Sequence, residues 1–105
     1  MNSIYVIMAF RGTATGETRV IGWYDTYDAA RDALVSNSTI IGEVELNYPW
    51  YEYALIEEVP MGVYPGADDN KVQFFQWKME DDVDGKYVEC DRPERFRGIV
   101  GFTMG

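Results

Sequence analysis

The hydrophobic pattern of this 105-residue chain begins with a strand period. Between Ser3 and Arg11, Ile4, Val6, Met8 and Phe10 fall on one face of an extended chain, and Tyr5, Ile7 and Ala9 on the other. Both faces are apolar, which predicts a central strand covered on both sides. Gly12-Thr13-Ala14-Thr15-Gly16 reads as a loop, and Glu17 to Tyr24 as a second strand paired with the first in a hairpin. The period then lengthens. Asp25-Thr26 offers an N-cap, Asp28 supplies a first-turn carboxylate, and Tyr27, Ala30 and Leu34 share one face of a helix running from Tyr27 to about Ser36. Asn37 is a stop signal. So short a helix is marginal alone and has to pack its Ala/Leu face on a sheet.

Ser38 to Trp50 is less regular. Thr39-Ile40-Ile41 and Glu43 to Leu46 read as brief strands, and Asn47-Tyr48-Pro49 as a turn. Tyr51 to Pro60 carries the densest strand signal. Tyr51, Tyr53, Leu55 and Val59 share one face, interrupted by Glu57; Glu52, Ala54, Ile56 and Glu58 share the other. Pro60 cannot donate to a ladder and ends the pairing. Tyr64-Pro65-Gly66 is a turn, and Asp68-Asp69-Asn70 continues it. Lys71 to Met79 is the next strand, Asp81 to Gly85 a turn, Lys86 to Cys90 the return strand, Asp91 to Gly98 a loop and Ile99 to Met104 a last strand. This order predicts one α+β domain over residues 1–105. Its antiparallel sheet has about five or six strands, with one α-helix packed across a face.

Composition sharpens that picture. Apolar residues make up 47% of the chain and aromatic residues 15%, which excludes disorder. The formal charge is -9. Residues 43–91 carry thirteen acids and three bases, whereas residues 92–105 carry one acid and three bases. Such a field repels nucleic acid and anionic membranes, so direct nucleic-acid or membrane binding is not expected. Cys90 is the only cysteine, so no internal disulfide can form, which fits a reducing cytoplasm. The apolar stretch from Ile4 to Phe10 is too short for a signal peptide and lacks a basic leader.

Candidate chemistry is sparse. The chain has no histidine, which removes Ser-His and Cys-His catalysis, and no acid/base pair stands out by spacing; an enzyme is not expected, nor a cofactor. Glu80, Asp82, Asp84, Gly85 and Asp91 echo a calcium loop, but Glu80 and Asp91 depart from its pattern, and the flanks are strands. An acidic hairpin turn accounts for the same residues, so no metal site is expected. Two binding surfaces remain. Glu57, Glu58, Asp68, Asp69, Glu80, Asp81, Asp82 and Asp84 could form an acidic face for a basic site on a host protein, as DNA-mimic inhibitors do. Alternatively, Arg11, Arg19, Arg92, Arg95 and Arg97, with an aromatic wall such as Trp23, could hold a nucleotide or cyclic-nucleotide signal. The exposed tyrosines could also support a homo-oligomer.

The strand from Tyr51 to Val59, the Val63-Tyr64-Pro65 turn, Phe75-Gln76-Trp77-Lys78 and Gly98-Ile99-Val100-Gly101-Phe102 resemble small proteins of Gram-positive gut bacteria and their phages. Tyr5 to Phe10, followed by Ile21-Gly22-Trp23-Tyr24-Asp25-Thr26 and an Ala-rich helix, is similar too. That resemblance implies a short cytoplasmic protein of phage or prophage type and carries no assigned active residues. By analogy, it implies an inhibitor of host machinery or defence, with a structural or regulatory phage role as a third reading.

Overall fold

A computed structural model describes residues 3–11, 18–46, 48–63, 69–80 and 83–93, with only the backbone described at 69, 80, 83 and 84. The described strands are β1 (Ser3–Phe10), β2 (Thr18–Tyr24), β3 (Tyr53–Pro60), β4 (Val72–Glu80) and β5 (Val83–Cys90). They form one antiparallel sheet in the order β2-β1-β3-β4-β5. Helices α1 (Tyr27–Ser36) and α2 (Ser38–Ile41) lie between β2 and β3. Because β2 and β3 both pair antiparallel with β1, they run in the same direction on either side of it. The fold is therefore the expected α+β arrangement, with five strands and one main helix on the sheet. The final strand expected from Ile99 to Met104 lies outside the described residues.

Alternation along the strands divides the apolar side chains between two layers. Ile7, Ala9, Ala54, Ile56, Phe75, Trp77 and Tyr87 face α1, where Ala30 and Leu34 are fully buried on them. Val6, Met8, Phe10, Tyr53, Leu55, Val59 and Phe74 form a second cluster on the opposite face. The apolar content of both faces of β1 is thus matched by burial on both. At the start of α1 the Thr26 hydroxyl accepts from the Ala29 N–H at 3.1 Å. Its end comes at Asn37, whose side-chain amide donates to the Ala33 carbonyl at 2.8 Å. None of the described helices is long and apolar enough to cross a membrane.

One local expectation is corrected. Thr39-Ile40-Ile41 belongs to the single turn α2 and not to a strand. Three β-branched residues favour extension, but Ser38 outweighs them through its contacts. Its buried hydroxyl meets the Leu34 and Val35 carbonyls and accepts the Tyr87 N–H at 3.1 Å. Ile41 is buried while Ile40 is 75% exposed, so the turn packs by one residue of the pair.

Both edges of the described sheet are managed. On β5, the Tyr87 amide is occupied by α2 rather than left open. On β2, a bulge at Ile21 shifts the register between Ile7 and Met8, and Arg19 puts a charge on the strand. Both devices discourage chance edge-to-edge pairing.

Candidate functional site

Between α2 and β3, residues 42–46 and 48–50 form a small surface arm. Gly42 ends α2 in a tight place: a Cβ there would stand 3.0 Å from the Ser38 carbonyl oxygen and 3.1 Å from the Tyr87 hydroxyl. The Gly42 carbonyl then accepts the N–H groups of Trp50 and Tyr51 at 2.9 and 3.2 Å, which closes the base of the arm. At its tip, Glu45 and Tyr48 exchange two backbone hydrogen bonds of 3.0 and 2.9 Å. The bridge joins residues three apart in the chain, and Leu46 is the described residue between them. The stretch from Glu43 to Leu46, expected as a strand, contributes one bridge residue, Glu45, and then the turn.

Left-handed backbone is what a tight hairpin of this length asks for, and Asn or Gly normally supplies it. Here Leu46 takes it, with φ 52°, and Glu43 does the same at φ 49°. A side chain with a Cβ costs about 1–2 kcal/mol in this conformation. Leu46 recovers nothing by packing, since it is 94% exposed. Tyr48 is 78% exposed and Trp50 43%. The arm thus carries an aliphatic tip and two aromatic rings out of the fold. A cavity of about 550 Å³ lies against it, lined by Glu43, Glu45, Leu46, Tyr48, Pro49 and Trp50.

Two arginines brace this arm. The Arg11 guanidinium, just past β1, stacks 3.9 Å from the centre of the Trp50 ring. Arg19, at the start of β2, pairs with Glu43 at 2.6 Å. Both belong to the expected nucleotide site, but the remaining described members do not join them. Arg92 stacks on Phe74, in the cluster on the opposite sheet face. Trp23 sits across from Val6, which also belongs to that opposite cluster. Arg95 and Arg97 lie outside the described residues. Among the described residues the wall of the cavity beside Trp50 carries two glutamates, and the two nearby arginines are engaged by Trp50 and Glu43. The described arginines therefore form no convergent pocket.

The described acids do not form one continuous face either. Glu57 is 1% exposed, within the second apolar layer between Val6 and Val72, and cannot meet a partner's surface. The two-residue alternation that places Tyr53, Leu55 and Val59 inward carries Glu57 inward with them. Glu58 is half-buried and accepts from the Ser3 hydroxyl at 3.0 Å. The backbone of Asp69 lies just before β4, while Glu80 ends β4 and Asp84 follows in β5. Those two groups occupy opposite ends of a nine-residue strand, some ~26 Å apart at the usual rise per residue. Asp68, Asp81 and Asp82, with most of the calcium-like turn, lie outside the described residues.

Burial pushes the Cys90 thiol up, which disfavours the thiolate a nucleophile needs. The Tyr27 hydroxyl donates to the Glu89 carboxylate, and burial followed by that carboxylate holds its proton well above the ordinary tyrosine range. Among the described residues, no group of three acid or cysteine side chains is arranged to hold a metal ion.

Leu46, Tyr48 and Trp50 were not legible as a site. Leu46 falls at the end of the brief strand expected from Glu43, and Tyr48 in the Asn47-Tyr48-Pro49 turn, so nothing in the pattern joins them. Compared with family models, with curated proteins and with solved structures, the chain shows no match in any of the three.

Proposed function

We propose that this chain is a non-enzymatic binding protein that engages another protein through the 43–50 hairpin. The observation that carries this reading is Leu46, an apolar side chain in a strained backbone conformation, held almost wholly in water at the tip of a braced arm. Strain retained without a packing return is accounted for by a partner that buries the residue. Aromatic residues beside such a tip are the usual anchors of a protein interface. The charge of -9 favours a partner with a basic surface around an apolar cleft, and the field speeds the encounter. A phage or prophage factor acting on a host protein in the cytoplasm is consistent with this, with the acids outside the hairpin serving attraction rather than contact. The nucleotide-sequestering alternative has less support, because Arg11 and Arg19 already stack on Trp50 and pair with Glu43.

The test is affinity capture from host lysate with the wild-type chain, Leu46→Asp, and a Glu80→Lys/Asp84→Lys double variant. Capture lost in Leu46→Asp, but only made less salt-sensitive in the lysine variant, is the expected result. Full capture by Leu46→Asp, with loss in the lysine variant, would return the contact to the acids. A melting temperature raised by a nucleotide or cyclic dinucleotide would favour the sequestering reading.

A further inference from the structure

The molecule carries a second apolar feature, at the end of the sheet opposite the arm. There a cavity of about 310 Å³ is lined, among the described residues, by Ser3, Ile4, Asp25, Val59, Pro60 and Met61. It sits where β1 begins and β3 ends, since Ser3 pairs with Pro60. The arm sits where β1 ends and β3 begins, with Arg11 on Trp50 and Tyr51 leading into β3. Met61, in the cavity wall, is 78% exposed, and Val63, two residues on in the chain, is 93% exposed. An apolar projection thus lies at one end of the β1–β3 pair and an apolar recess at the other.

Local charge matches in the same sense. Near the projection, Arg11 has its guanidinium on a ring and no carboxylate partner among the described residues. Beside the recess stands Asp25, exposed and without an ion pair among the described residues. We propose that the hairpin tip of one chain seats in this recess on a second copy, with Arg11 facing Asp25 of that copy, so that chains assemble head to tail. This inference rests on the hairpin being the contact element, and it names a second copy as a partner for it. Projection and recess are different surfaces, so each chain uses one of each and leaves one of each open. Such a contact is heterologous and grows into a ring or a filament rather than stopping at a twofold dimer.

Sedimentation velocity over a range of protein concentrations tests it, using wild type, Leu46→Asp and Met61→Asp. Both positions are exposed, and circular dichroism checks that each variant is folded. Wild type is expected to grow with concentration. Growth should strengthen with salt, because screening weakens the repulsion between two chains of charge -9. Each variant alone should stay monomeric. An equimolar mixture should stop at a dimer, since Leu46→Asp keeps the recess and Met61→Asp keeps the tip. A wild-type chain that is monomeric at every concentration overturns the assembly, as does a mixture that never pairs. If wild type is monomeric yet Leu46→Asp still loses its heterologous partner, only the assembly falls. Should Leu46→Asp both assemble and bind like wild type, the hairpin reading falls with it.

Discussion

Leu46 and Gly85 are opposite cases of one residue fitting its backbone. Leu46 sits where Asn or Gly would be at ease, so Leu46→Asn should stabilise the fold by about 1 kcal/mol while removing the apolar tip. Denaturant unfolding measures the gain, and a fall in stability would mean that Leu46 packs on something in the free chain. Gly85 is fixed by its neighbour: a Cβ there would lie 2.6 Å from the Trp77 indole ring. Trp77 cannot easily yield, being buried and set edge-on to Tyr87 with ring centres 5.7 Å apart. Gly85→Ala should therefore cost about 1–3 kcal/mol and disturb the near-ultraviolet tryptophan signal. An unchanged signal and stability would show that the indole has room to move. Its Nε1–H is buried with no acceptor among the described residues, so the position is already one of tension. Neither constraint is visible in the chain: Gly85 reads as one more turn glycine in Asp84-Gly85-Lys86, and its ring partner is supplied by pairing across the hairpin.

Among the elements, α2 has the largest role for its length. Ser38→Ala would free the Tyr87 amide and remove the hydroxyl from two helix carbonyls, at a cost of about 1–3 kcal/mol. Hydrogen exchange should speed up most at Tyr87. Protection there equal to wild type would mean that the β5 edge is closed by something other than Ser38. Elements made by local rules were legible in advance. Thr26 as cap, Ala30 and Leu34 as the buried stripe, and Asn37 as stop all follow from helical spacing and side-chain chemistry. So did β1, whose two apolar faces require cover on both sides. What escaped depended on distant partners. Thr39-Ile40-Ile41 is extended by propensity and helical only because Ser38 docks on β5. Glu57 interrupts an apolar face in the sequence, but its burial depends on what closes that face, which strand periodicity does not encode.

For the molecule as a whole, alkaline pH is the informative stress. Tyr27 and Tyr87 both have hydroxyls pushed well above the ordinary 10.0. Burial acts first in each case, reinforced at Tyr27 by Glu89 and at Tyr87 by Tyr51. Below that value both hydroxyls are protonated in the folded and the unfolded chain, and stability does not depend on them. Above it the unfolded chain releases protons that the native chain keeps, so stability falls as pH rises beyond about 10. Tyrosinate absorbance should show these two rings ionising only as the chain unfolds; free titration in the folded protein would contradict the burial. The ladder between β1 and β3 has a further consequence, in the order of synthesis. It joins Ser3 to Pro60 and Phe10 to Tyr53, while β1–β2 and β3–β4–β5 are built from neighbours in the chain. On a ribosome adding about 5–20 residues per second, β1 therefore waits roughly 2–10 seconds for its central partner. Throughout that interval a strand apolar on both faces has one edge unpaired. Nascent chains are then most exposed to misassembly before β3 has emerged, and a pause in translation between β2 and β3 should lower the yield of folded protein more than one after β3.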